Sequence, residues 1–189
     1  MTKIEIKDSF IKAYSENITR KGSQEFLSWM QSTDFFEAPA STIHHSAFEG
    51  GLAWHSIRVY FEANRLVNAY KDYINVSDET LAICTLLHDV CKIGCYKSDM
   101  RNVKENGQWV QKPYYKFDED FKFGGHGSKS VYLIQKYMQL SDEEATAINC
   151  HMGSWGNVDE KATGDAFRQY PFAWLVHVAD EAATFVIDA

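Results

Sequence analysis

Four ionisable residues stand where aliphatic side chains would be expected: His55, the adjacent pair His88-Asp89, and Asp180. Each interrupts an apolar stripe at helical spacing. The first stripe runs Leu52, His55, Val59, Ala63, Leu66, Tyr70; the second Leu81, Thr85, His88; the third Phe172, Val176, Asp180, Ala183, Ile187. A carboxylate on a buried face costs several kcal/mol unless a cation or several hydrogen bonds compensate it. One divalent ion held by two imidazoles and two carboxylates would satisfy all four groups at once. Such a donor set suits manganese, iron, nickel, zinc or magnesium, and it lacks the thiolates of a closed structural zinc site. On a six-coordinate ion it leaves positions for water and substrate. The chemistry on offer is therefore an activated water beside a polarised phosphoryl oxygen.

These residues must be brought together by helices. Apolar positions at three- and four-residue spacing predict short helices over Ile6–Asn17 and Ser23–Gln31, ahead of a loop from Phe36 to Thr42. Residues 1–40 are expected to form an N-terminal helical cap. A long helix from Gly51 to about Tyr73 carries His55, and a helix capped by Ser77 is predicted to run through His88 to Lys92 and stop at Gly94. Aromatic and valine residues around Asn106-Gly107 predict a small β-hairpin or flap insertion near 96–121. Helical spacing resumes from His126 through Val131, Ile134 and Tyr137, and Ser141-Asp-Glu-Glu144 supplies a capping box for a helix reaching His151. Gly153 to Gly164 reads as a loop, and a last amphipathic helix opens at Pro171 and carries Asp180. Pro39, Pro113 and Pro171 fall where helical periodicity fails. The fold class is all-α, a single helical-bundle domain over residues 1–189.

The order His55, His88-Asp89, Asp180 resembles the H…HD…D pattern of the HD superfamily of metal-dependent phosphohydrolases. The stretches His45-Ser-Ala-Phe-Glu-Gly-Gly-Leu-Ala-Trp-His55-Ser, Leu86-Leu-His-Asp-Val-Cys-Lys92-Ile-Gly and His177-Val-Ala-Asp180 look like their counterparts in HD domains of bacterial 3′-to-5′ exoribonucleases and related uncharacterised hydrolases. The likeness spans roughly Phe35 to Asp188. It implies room for a second ion, with Asp89 bridging the two. His126, in Gly124-Gly-His-Gly, and His151, in Asn149-Cys-His-Met-Gly, would bind that second ion, and the bridging water would be the nucleophile. It also supports a phosphate contact from Lys92, whose spacing from His88 and Asp89 places it on their side of a helix; a lysine there also favours the helix dipole. His45 is implied as a proton donor or phosphate contact. Lys129, one turn after His126, is either a further phosphate contact or a solvated surface lysine. His44 is expected to be exposed, and His177, opposite Asp180, to be structural. Trp155, with Trp109, Tyr114 and Tyr115 of the hairpin, could stack on a base, though core or flap packing is the more ordinary use of such rings.

Composition narrows the partners. The chain is 45% hydrophobic and 24% charged, as an ordinary globular protein is, and its net charge of −7 with a pI near 5.5 gives no general attraction for polyphosphate. Extended nucleic-acid binding is not expected; a small phosphorylated, nucleotide-like substrate drawn in by metal or lysine is. The opening Met-Thr-Lys-Ile-Glu-Ile-Lys-Asp lacks the apolar run of a signal peptide, and no stretch approaches bilayer-spanning length. Cys84, Cys91, Cys95 and Cys150 lie in helical or helix-terminal segments without a disulfide framework, and read as reduced, core-filling thiols of a cytoplasmic protein. The functional expectation is hydrolysis of a phosphoester in a nucleotide or short oligonucleotide, with Asp89 and Lys92 as catalytic residues. A di-iron HD-type oxygenase and a non-catalytic metal- or nucleotide-binding regulatory module are the alternatives.

Overall fold

The computed structural model describes residues 1–118, 124–156 and 158–187. Helix α1 (Lys3–Asn17) opens on a reciprocal capping box: Glu5 N–H donates to Thr2 Oγ1, and Thr2 N–H donates to the Glu5 carboxylate. A turn at Gly22 leads into α2 (Ser23–Gln31), and α3 (Gly51–Ala69) is the long central helix. Helix α4 (Asp78–Leu86) is capped by Ser77. Strands β1 (Tyr96–Glu105) and β2 (Gln108–Phe117) form an antiparallel hairpin whose register runs from Tyr96 opposite Phe117 to Glu105 opposite Gln108. At its tip Asn106 (φ 50°) and Gly107 (φ 85°) both take left-handed backbone, as the tightest hairpin turn requires. Helices α5 (His126–Gln135), α6 (Asp142–Cys150), α7 (Glu160–Gln169) and α8 (Pro171–Ala182) complete the bundle, and a wider π-turn extends α8 to Ile187. The molecule is mainly α-helical with one small hairpin.

Helix α3 packs on α4 and α8, α8 on α6, and α6 on α4, so these four elements close a ring of contacts. Helix α1 lies against α3 and α4 and sends Phe10 and Tyr14 into the core shared with Phe26, Phe35, Leu52, Leu86 and Phe172, all fully buried. Each such side chain contributes about 1.5–3 kcal/mol of burial free energy. The N-terminal segment expected to cap the bundle thus supplies part of its interior. Among the described residues no helix is long and apolar enough to cross a membrane.

Several boundaries depart from the sequence-based expectations. The helix carrying Thr85 stops at Leu86, and the chain turns through His88 and Asp89 into a short 3-10 turn, Val90–Lys92, instead of running as one helix to Lys92. There His88 Nδ1–H donates to the Thr85 carbonyl at 2.7 Å and takes up an acceptor that the next helical turn would have used. The segment expected as a loop up to Gly164 contains the start of α7, where the Asp159 side chain accepts from Ala162 N–H. Helix α3 ends at Ala69, short of Tyr73, and α5 ends at Gln135, short of Tyr137. The hairpin expected near 96–121 is seen from Tyr96 to Phe117; residues 119–121 of that range, and the last two residues of the expected domain, lie outside the described residues.

Candidate metal centre

The closed ring of helices delivers His55, His88, Asp89, His151 and Asp180 to one place. His55 Nε2 donates to Asp180 Oδ1 at 2.9 Å and stands 4.0 Å from Asp89 Oδ2. His88 Nε2 lies 3.3 Å from Asp89 Oδ2 and 3.9 Å from Asp180 Oδ1, and His151 Nε2 lies 3.6 Å from Asp89 Oδ1. One local device orients two of these rings: His88 and His151 each donate Nδ1–H to the carbonyl three residues earlier, Thr85 and Ile148, at 2.7 Å. That leaves each Nε2 with a bare lone pair facing the carboxylates. The break after Leu86 matters here. Consecutive residues of a continuous helix point about 100° apart, whereas the turn lets the neighbours His88 and Asp89 serve the same cluster.

Asp89 is the hub. Its Oδ2 faces His88, His55 and the Lys92 ammonium at 2.7 Å, and its Oδ1 faces His151 and, at 3.8 Å, Cys91 Sγ. Burial opposes its charge, but Lys92 and His88 outweigh burial and hold the carboxyl well below the usual range. Asp180 is likewise lowered, burial being overcome by the His55 hydrogen bond and the His88 charge. Burial acts to lower His88, and Asp89 reverses that to a net rise. Lys92 stays an ammonium: burial would lower it, yet Asp89 raises it, and it also donates to the Ala40 carbonyl at 2.8 Å.

The donors fit a divalent ion. His88 Nε2 and His151 Nε2 are wholly buried and have no hydrogen-bond partner, beside two ionised carboxylates. Ligand atoms sharing an ion at metal–ligand distances of about 2.0–2.2 Å stand roughly 3–3.5 Å apart, and His88 Nε2 and Asp89 Oδ2 are separated by 3.3 Å. Among the described residues three groups could each hold an ion: His55, His88 and Asp180; His88, Asp89 and His151; and Asp89, Cys91 and His126.

A cavity of about 670 Å³ opens on this cluster and is lined by His45, Asp89, Lys92, His151 and Asp180 among others. His45 sits with its ring 4.8 Å from that of His55, and burial, then the His55 and Lys92 charges, push it down to about 4. It is therefore neutral near pH 7, a hydrogen-bonding group and not an imidazolium acid. His44 is exposed, as expected, yet also lines the cavity. His177 has the expected structural bond, donating Nδ1–H to the His151 carbonyl at 2.7 Å, but it faces the same cavity as Asp180. Trp155 is 81% exposed at the cavity rim, on a short turn that gives it no place in the core, so the packing expectation does not hold for it. Trp109, 72% exposed near the hairpin tip, lies outside the cavity lining, as do Tyr114 and Tyr115.

Two of the residues singled out in the sequence lie outside the lining of the main cavity. His126, the first residue of α5, lies beside Cys91, with Nδ1 3.5 Å from the sulfur, and lines a separate small recess. Lys129 points along α5 so that Nζ stands 3.3 Å from Cys95 Sγ, outside the main cavity lining. Cys91, read in the sequence as core-filling because two cysteines four apart make only a weak zinc signal, stands in one of the three ion-holding groups, and Glu181 and Phe185, which sequence reasoning passed over, line the cavity.

The HD domain family matches residues 52–184, more than half of the chain and the whole span from His55 to Asp180. Ribonuclease Y of Mycoplasmoides gallisepticum (strain R(low / passage 15 / clone 2)) is 28% identical over 106 residues, covering 56% of this chain and 16% of that protein. The chain thus spans a small part of that relative's length. No solved structure gives a significant match. With its clustered histidines and aspartates inside the matched segment, this chain belongs to the HD domain family, a superfamily of metal-dependent phosphohydrolases.

Proposed function

We propose that this protein hydrolyses a phosphoester in a small, nucleotide-like substrate, with the phosphate at the His55, His88, Asp89 and Asp180 cluster and the base against Trp155. The observation that carries the reading is that one cavity joins the imidazole–carboxylate cluster, the buried Lys92 ammonium and an exposed indole. Its volume of about 670 Å³ falls in the range of small-molecule sites, about 300–1,000 Å³. A mononucleotide or the end of a short oligonucleotide suits that size, and the net charge of −7 argues against a long nucleic-acid track.

A divalent ion bound by the cluster would supply an activated water and polarise a phosphoryl oxygen. The chain's own residues do the rest. Lys92 spends two of its three N–H donors on Asp89 Oδ2 and the Ala40 carbonyl, which fixes the ammonium at the cavity wall with a third donor for a phosphate oxygen. Neutral His45 offers a hydrogen bond to the substrate or its leaving oxygen. Trp155 presents a ring face on which a base can stack.

The test is an activity screen of manganese-, iron-, nickel-, zinc- and magnesium-loaded protein against nucleotides, cyclic dinucleotides and short oligonucleotides, with elemental analysis of wild type and Asp89→Ala. Metal-dependent hydrolysis of at least one class is expected, with loss of both metal and turnover in the variant. Tight binding of a nucleotide without turnover would favour the regulatory-module reading. Dioxygen consumption by the iron-loaded protein in place of hydrolysis would favour the oxygenase.

A further inference from the structure

Cys91 is the second residue after Asp89, on the Val90–Lys92 turn, and is fully buried. Its sulfur does not face an aliphatic neighbourhood alone. Sγ stands 3.5 Å from His126 Nδ1 and 3.8 Å from Asp89 Oδ1. The same Asp89 oxygen is approached at 3.6 Å by His151 Nε2, which is wholly buried and has no hydrogen-bond partner. A thiol is a weak donor and gains little from such company as a hydrogen-bonding group. In a tetrahedral site with metal–sulfur distances of about 2.3 Å and metal–nitrogen or metal–oxygen distances of about 2.0–2.1 Å, sulfur stands roughly 3.5 Å from its fellow ligands. The separations at Cys91 match those edges.

We propose that Cys91 is a thiolate ligand of a second metal position, shared with Asp89 Oδ1 and His126 and reached by His151 through the same Asp89 oxygen, and that this position selects zinc or ferrous iron over magnesium. The proposal rests on the reading that the Asp89 cluster binds divalent ions, and it makes the two sides of Asp89 chemically unlike. On the Oδ2 side the donors are His55, His88 and Asp180, all nitrogen and oxygen. On the Oδ1 side a soft sulfur joins two imidazoles, a combination that favours zinc and iron and disfavours magnesium. As the ion binds, the thiol gives up its proton to solvent and the sulfur–metal bond forms in its place.

Cobalt(II) titration of the metal-free protein tests this, because a cysteine thiolate on cobalt gives a sulfur-to-metal charge-transfer band in the near ultraviolet that imidazole and carboxylate do not. Wild type is expected to develop that band; Cys91→Ser is expected to lack it while still binding cobalt at the other position, and Cys95→Ser, altered at a neighbouring buried thiol, to keep it. Cys91→Ser should also bind its second equivalent of zinc about tenfold more weakly or worse, with the first equivalent unchanged. Cobalt bound by wild type without the band, or a band removed by Cys95→Ser and kept by Cys91→Ser, overturns the proposal and leaves the metal-binding reading standing. If wild type takes up no cobalt or zinc, both fall together. If Cys91→Ser does not fold, the wild-type and Cys95→Ser spectra still decide: no band in wild type, or a band lost in Cys95→Ser, overturns the proposal.

Discussion

At the scale of single residues, the two oxygens of Asp89 see different partners, and Lys92 sits on one of them. Replacing Lys92 with Met keeps the stem and removes the charge. Turnover is expected to fall about 10²–10³-fold, as when a single donor to a developing oxyanion is lost, while elemental analysis still finds bound metal. The same variant should shift a pH limb. Burial already pushes Asp89 upward and Lys92 leads the groups holding it down, so without Lys92 its folded-state pKa rises. Metal retention requires the carboxylate, so the pH below which metal is released moves up; release at an unchanged pH would contradict the role given to Lys92. Trp155→Ala acts on another quantity. Stacking on a base is worth about 1–3 kcal/mol, so KM should rise roughly 5- to 100-fold with kcat unchanged, and the unfolding midpoint should stay put because the ring is 81% exposed.

At the scale of elements, the spacing of α5 and α6 sets the distance between the residues at their ends, His126 and His151. Gly127 makes that spacing possible: a Cβ added there would run into the backbone of Asn149, at its oxygen and Cα. Gly127→Ala must push the two helices apart. A loss of about 1–3 kcal/mol in denaturant unfolding is expected, as for other overpacked sites, together with weaker binding of the second metal equivalent and little change in the first. Equal weakening of both would mean that the helix pair does not control the Oδ1 side separately. Helix α4 makes the complementary point. Its early stop at Leu86, and not its length, is what lets His88 and Asp89 meet the cluster side by side.

At the scale of the molecule, a half-buried ion-pair network ties the N-terminal segment to the ring that carries the site. The Arg20 guanidinium, in the turn after α1, holds Glu144 of α6 through two bonds of 2.8 Å, and it also reaches Glu79 of α4. Glu144 is 1% exposed and further accepts from Thr80 and from the Ser141 N–H. Glu144→Gln should cost about 1–3 kcal/mol at neutral pH, since Arg20 keeps Glu79 and some exposure. The pH dependence has a definite sign. Burial raises the Glu144 carboxyl, but the bonds from Arg20, the Ser141 N–H and Thr80, with the Arg20 charge, together lower it more, so the native value lies below the ordinary one of roughly 4.3. Its stabilisation is complete above that value and is lost as pH falls through the native one. Unfolding curves at neutral pH and at roughly pH 3.5 should show the variant's deficit shrinking on acidification; a constant deficit would assign the effect to packing.

The features that the sequence determined by itself are those whose physics is complete within a few residues or along one helix face. The Ser141-to-Glu144 capping box and the Asn106-Gly107 turn are closed by local bonds and local backbone angles, and both are found where the sequence placed them. His55, His88-Asp89 and Asp180 were legible as a set because an ionisable group interrupting an apolar stripe is costly unless something compensates it. The tertiary structure decided the rest. Helix α7 has few apolar residues and carries Gly164 in its middle, so its stretch reads as a loop, and its burial depends on α8. Whether Glu144 also meets Arg20, whether His177 turns into the cavity, and whether Cys91 fills the core or joins Asp89 and His126 are contacts between segments tens of residues apart. No local period encodes such contacts; they exist only once α3, α4, α6 and α8 have closed on one another and fixed which side chains share one space.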